Sequence, residues 1–89
     1  MKIEFDRSFY KSLDKISENT VLVKLQNIIK EINNAGFLSE IKNIKKLKGF
    51  KSYYRIKLMD YRIGIELLNA STVRFILICH RKDIYKKFP

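Results

Sequence analysis

Residues 53 to 66 read YYRIKLMDYRIGIE. Apolar and polar side chains alternate on either side of Met59 and Asp60, which is the period of half-buried strands, so the stretch reads as a β-hairpin. If Leu58 opposes Tyr61, then Lys57 faces Arg62, Ile56 faces Ile63, Arg55 faces Gly64 and Tyr54 faces Ile65. Tyr54, Ile56, Leu58, Tyr61, Ile63 and Ile65 then share a core-facing surface, while Tyr53, Arg55, Lys57, Arg62, Gly64 and Glu66 share the other. Met-Asp is a poor two-residue turn, but a four-residue loop in the same register leaves the faces unchanged. Like charges directly opposite each other destabilise a sheet by a few tenths to about 1 kcal/mol, so something must favour them there. A phosphodiester is the simplest candidate. Arginine offers it a two-pronged donor, and Gly64 leaves an opening where a nucleic-acid backbone can approach.

Working outward, Lys2 to Phe5 alternates as a short first strand. Asp6 reads as the cap of a short helix with Phe9, Leu13 and Ile16 on one side, ending near Ser17. Asn19 or Thr20 caps a second helix whose stripe of Leu22, Leu25, Ile28, Ile29 and Ile32 is wide enough to lie on a sheet, and Asn33 to Gly36 stop it. So few residues separate the two helices that they are expected to pair as a hairpin. Phe37 to Ser52 reads as an irregular connection anchored by Phe37, Ile41, Ile44 and Leu47, with Lys42, Lys45, Lys46, Lys48 and Lys51 outward. Thr72 to His80 is a third strand, and its continuously apolar FILIC core predicts an interior position covered on both faces. RKDIYKKFP is expected to form a tail helix or turn.

The 89 residues make a single domain, 1–89, with no room for a second core. With 46% hydrophobic and 31% charged residues, the composition suits a folded chain rather than a disordered one. Nineteen Lys and Arg stand against nine Asp and Glu, a formal charge of +10 that works against compaction and calls for a polyanionic partner, nucleic acid or an acidic protein. One cysteine, Cys79, excludes an internal disulfide. With no signal peptide and no apolar run long enough to span a bilayer, the expected setting is the cytoplasm, with no membrane association. No His, Cys and carboxylate cluster has ligand spacing and no Gly-rich phosphate loop is present, so neither a metal nor another cofactor is expected.

LKGFKSYYRIKLMDYRIGIEL, followed by a strand and CHRKDIYKKF, resembles the toxins of the RelE/ParE superfamily of type II toxin-antitoxin modules, most closely the RelE-type messenger-RNA endonucleases. The resemblance implies an α+β fold: a small antiparallel sheet, an N-terminal helical hairpin on one face and a basic concave face opposite. It implies a metal-independent, ribosome-dependent endoribonuclease that cleaves mRNA in the ribosomal A site and so arrests translation and growth. It also implies an acidic cognate antitoxin as partner. Carried over by residue, it places Arg55 and Lys57 as alternate catalytic cations on the first hairpin strand and Arg62 as a transition-state cation, with Arg81 and Tyr85 completing the site. Arg55 stands where the best-known members have Lys, and the spacing from Arg81 to Tyr85 is shorter than theirs.

The chemistry can be stated without the name. RNA is cleaved when a base removes the 2'-hydroxyl proton, cations hold the phosphorane and an acid protonates the departing 5'-oxygen. Arg55, Arg62 and Arg81 suit phosphate stabilisation because guanidinium does not exchange protons readily near neutrality. Lys57 and His80, the only histidine, are the two candidates for the base. Tyr85 can stack on a base or join in proton transfer. Lys46, Lys48, Lys51, Tyr53 and Lys82 are the expected RNA contacts around this set. Two other readings fit the same residues: a ParE-like inhibitor of DNA gyrase that acts by binding, and an RNA-binding module that never turns over.

Overall fold

The computed structural model describes every residue from Met1 to Pro89. Strand β1 (Lys2–Phe5) leads into helices α1 (Arg7–Leu13) and α2 (Asn19–Asn34) and a 3-10 turn at Leu38–Glu40. Strands β2 (Ile44–Lys46), β3 (Tyr53–Leu58), β4 (Tyr61–Asn69) and β5 (Thr72–His80) follow, and helix α3 (Ile84–Lys87) closes the chain. The strands form one sheet in the order β1-β5-β4-β3-β2. It is antiparallel from β2 to β5, as expected, and gains a parallel edge where β1 lies beside β5. A parallel pair cannot be closed by a tight turn; here the helices and three intervening strands supply the long connection.

The side chain of Asp6 caps α1 by accepting from the Ser8 N–H at 3.1 Å, and its hydrogen bonds to Ser8 lower the Asp6 pKa. The helix stops at Leu13, short of Ser17, yet Ile16 still reaches the core. Neither Asn19 nor Thr20 caps α2. Glu18 takes that position without a side-chain cap bond, because its carboxylate accepts from the Tyr61 hydroxyl at 2.8 Å. That bond also raises the Tyr61 pKa.

Phe9, Ile16, Val21, Leu25 and Ile32 pack from the helical side against Ile56, Leu58, Ile63, Ile65, Val73, Phe75 and Ile78. A second, smaller cluster lies across the sheet, where Leu47, Cys79, Ile84 and Phe88 meet Tyr53, Ile76 and Leu77. FILIC is therefore apolar throughout because Phe75 and Ile78 enter the first cluster and Ile76, Leu77 and Cys79 the second. Burial pushes the Cys79 thiol pKa up, the state of a packing residue rather than a nucleophile.

A bulge in β5 seats α1. Gly64 pairs with Leu77 and Ile65 with Phe75, which leaves Ile76 as the extra residue. The Ser8 hydroxyl donates to the Ile76 carbonyl, and the Ile78 N–H donates to Ser12 Oγ at 3.0 Å. Two helix serines thus satisfy backbone groups that no strand reaches, since β1 pairs with β5 only as far as Phe75.

The connection from Phe37 to Ser52 is more ordered than the sequence suggests. Phe37 is 68% exposed, and the anchor is its neighbour Leu38, buried with Ile41 and Leu47. Ile44 to Lys46 adds an edge strand to β3.

Candidate functional site

The hairpin has the register derived from its alternation: Lys57 opposite Arg62, Arg55 opposite Gly64, Tyr53 opposite Glu66. The turn is the tight one. Met59 takes a φ of 54°, an uncommon conformation for a side chain without a local polar anchor. Arg62 folds over this turn, donating from Nη1 to the carbonyls of Met59 at 3.0 Å and Tyr61 at 2.8 Å. Across the gap, the Arg81 N–H donates to the Asp60 carbonyl at 2.8 Å, and Arg81 Nε lies 3.9 Å from Asp60 Oδ1. The ion pair is exposed and long, so the backbone bond is what ties the end of β5 to the hairpin tip. Lys57, Arg62 and Arg81 therefore gather at one end of the sheet.

One row further along lies Lys45, paired with Arg55, which pairs with Gly64. Arg55 Nη1 donates to the Asn43 carbonyl at 3.2 Å, and the same carbonyl accepts the Lys57 N–H at 3.0 Å. Lys45 is the cation that sequence reading did not single out. Its signal was the pairing of a three-residue edge strand, which alternation over so short a run cannot supply. Lys46, expected as an RNA contact, instead pairs with Tyr54 and lies on the helical side, beside Leu38, Ser39 and Ile44. Lys48 and Lys51 are exposed in the β2–β3 loop around Gly49, whose φ of 86° turns the chain. At the far end of the face Glu66 pairs with Arg74, which bonds Glu4 at 3.3 Å. Glu66 and Glu4 thus lie away from the cationic end, where Asp60 faces Arg81.

Gly64 is not an opening. The ring of Phe88 sits on it, so near that a Cβ at Gly64 would lie 2.8 Å from ring atoms. Phe88 is 3% exposed and meets Tyr53 edge to face at 5.4 Å, and Tyr53 in turn meets Phe50 at 5.6 Å. The tail therefore covers the centre of the face and leaves the cations as a rim. Tyr85, one turn earlier, is 71% exposed and packs on nothing buried.

His80 departs from the other candidates. It pairs with Tyr61, and the two rings meet edge to face at 6.0 Å, on the side where Tyr61 reaches Glu18. Its Nδ1 accepts from the N–H of Lys82, itself exposed, at 3.3 Å. Alternation thus separates His80 from Arg62, whose strand partner is Cys79. No group of three or more His, Cys, Asp or Glu side chains gathers in a way that could hold a metal ion. No helix is long and apolar enough to cross a membrane.

No family model matches the chain. A curated protein, Toxin RelE3 of Methanocaldococcus jannaschii, is 41% identical over 90 residues, covering all of both chains. Among solved structures, the RelB-RelE antitoxin-toxin complex from Methanococcus jannaschii contains a chain that superposes with a TM-score of 0.80 at 40% identity, covering 97% of this chain and 99% of that one. The intact E. coli RelBE toxin-antitoxin complex superposes at 0.68 with 24% identity, over 89% of this chain and 94% of that one, a likeness of fold.

Proposed function

Because this chain belongs to the RelE family of toxins, we propose that it is the toxin of a type II toxin-antitoxin pair and acts as a metal-independent endoribonuclease on mRNA in the ribosome. The observation that carries this reading is the crowding of Lys57 against Arg62, with Arg81 tied to the same hairpin tip through Asp60. Like charges held together on a rigid sheet are preorganised for a dianionic phosphorane, the species a cleaving phosphodiester passes through.

In this mechanism the free-amine form of Lys57 takes the 2'-hydroxyl proton, the 2'-oxygen attacks phosphorus as the bond to the 5'-oxygen breaks, and the 5'-oxygen leaves with a proton taken from water. The products carry a 2',3'-cyclic phosphate and a 5'-hydroxyl. Arg62 and Arg81 neutralise the phosphorane oxygens, and Arg55 with Lys45 holds a neighbouring phosphate. Lys57 is preferred to His80 as base because it shares the face with the arginines. Tyr85, free of the core, is placed to stack on an unpaired base. Lys48, Lys51 and Lys82 extend the cationic rim, and Tyr53 supports it through Phe88.

A chain of charge +10 calls for an acidic antitoxin, and the RelB-RelE complexes of its relatives support that partner. A cytoplasmic site of action follows from a ribosomal substrate. The test is to add the protein to translating ribosomes and map new 5' ends. Cuts within codons that disappear with Arg62→Ala are expected. Folded protein that makes no cuts but blocks gyrase supercoiling would replace this reading with the gyrase one.

A further inference from the structure

A cleft of about 300 Å³ opens at the β5 edge beyond Phe75, where β1 no longer pairs, between α1 on one face of the sheet and α3 on the other. Ile16, Tyr61, Leu77, Ile78 and Cys79 are the apolar part of its lining, and Lys11, Lys15, Lys87 and His80 line it as well. Asp83 is the only carboxylate lining it. The fold contains two ion pairs, Arg74 with Glu4 and Arg81 with Asp60, so none of these lysines is neutralised by a neighbour. His80 Nδ1 is occupied by the Lys82 N–H, which leaves Nε2 for a ligand.

An apolar lining that also carries three lysines selects an occupant with one flat apolar part and one compact anion. We propose that this cleft binds a single nucleotide unit, its base against the Tyr61 ring and its phosphate held by Lys11, Lys15 and Lys87, at the β5 edge rather than among Arg55, Lys57 and Arg62. Two protein occupants fit less well. A helix is about 10 Å across and does not enter a space this small between two existing helices. An extended peptide would need the free edge of β5, but Ser8 and Ser12 already take the Ile76 carbonyl and the Ile78 N–H. A phosphate among three unpaired lysines meets neither obstacle.

The inference does not depend on ribonuclease activity and can be tested apart from it. His80 is the chain's only histidine, so its imidazole C–H signals in a proton NMR spectrum report on the cleft without assignment. Adenosine 5'-monophosphate is titrated into the whole protein, and into a Lys11→Ala, Lys15→Ala double variant whose melting curve is checked first. A saturable shift of the His80 signals is expected, with binding at least about tenfold weaker in the variant. A non-cleavable 2'-O-methyl RNA hexamer moving the same signals at lower concentration would assign the unit to an RNA strand; equal affinity would assign it to a free nucleotide. Inorganic phosphate acting as strongly as the nucleotide would overturn the proposal, because the apolar lining would then recognise nothing. So would unmoved His80 signals, or signals moved by an acidic peptide and not by the nucleotide. Ribosomal cleavage that persists while the His80 signals stay still would remove the cleft and leave the nuclease intact.

Discussion

Placing a methyl group on Gly64 tests how the tail is held. In Gly64→Ala the new Cβ would meet Phe88 ring atoms at 2.8 to 2.9 Å, about 0.6 Å inside ordinary contact. The ring cannot simply tilt, since it is 3% exposed and wedged among Leu47, Cys79, Ile84 and Tyr53. If it shifts within the cluster, overpacking costs about 1 to 3 kcal/mol. If it is expelled, the lost burial costs about 1.5 to 3 kcal/mol. Alanine returns about 0.5 to 1 kcal/mol relative to glycine within a strand. The net loss is then about 1 to 2 kcal/mol, or roughly 5 to 15 °C in melting temperature for a domain of this size. Phe88→Ala alone should cost about 3 kcal/mol or more. In the double variant the methyl group meets no ring, so Gly64→Ala becomes neutral or mildly stabilising. Thermal or urea unfolding of the four proteins measures that coupling. Additive effects of the two substitutions would refute the seat of Phe88 on Gly64, and with it the account of how the tail carrying Tyr85 is held on the sheet.

Arg62→Ala and Arg81→Ala should each relieve growth arrest on induction, with stability changed by about 1 kcal/mol or less, because both arginines are bonded only through exposed or half-buried contacts; full arrest from both variants would move the site elsewhere. Met59→Gly should stabilise the protein by about 1 kcal/mol by relieving the φ of 54°, read as a higher denaturant midpoint at unchanged slope. Ser12→Ala should cost about 1 to 3 kcal/mol, because the Ile78 N–H loses its acceptor at a bulge where no strand replaces it. Asp6 has a lowered pKa in the folded chain, so the stability from its cap is present above the unfolded carboxylate value near 3.8 and is lost as pH falls through the folded value. Asp6→Asn should therefore flatten the acid limb of a melting-temperature profile, and an unchanged limb would contradict the cap.

What the sequence made legible was whatever repeats with a period. The β3–β4 register followed from alternation, because one face of each strand must be buried and a slip of one residue would reverse every side chain, and the interior place of FILIC followed from its unbroken apolar run. Features without a period stayed hidden. Ile44 to Lys46 is too short to alternate, so Lys46 was set on the cationic face where Lys45 belongs. The place of Phe88 depends on where a tail lands after β5, and nothing local to KKFP encodes Gly64 as its seat. His80 stands next to Arg81 in sequence, but β5 ends at His80, whose ring meets Tyr61, while Arg81 turns back to Asp60.

These details bear on why so small a chain tolerates its own charge. Opposing cations at Lys57 and Arg62 weaken the sheet where it is least covered, while the apolar tail adds a second cluster on the same face. The repulsion is thus confined to the rim and compensated beside it. Glu66 and Glu4 serve Arg74 at the opposite end, while at the tip the pairing of Arg81 with Asp60 is long and exposed. Such a chain gains stability from any polyanion bound at the rim, by an amount set by ligand concentration over its dissociation constant. On the proposed function, an acidic antitoxin and an RNA strand compete for the same gain, and release of the toxin is an exchange of one polyanion for another.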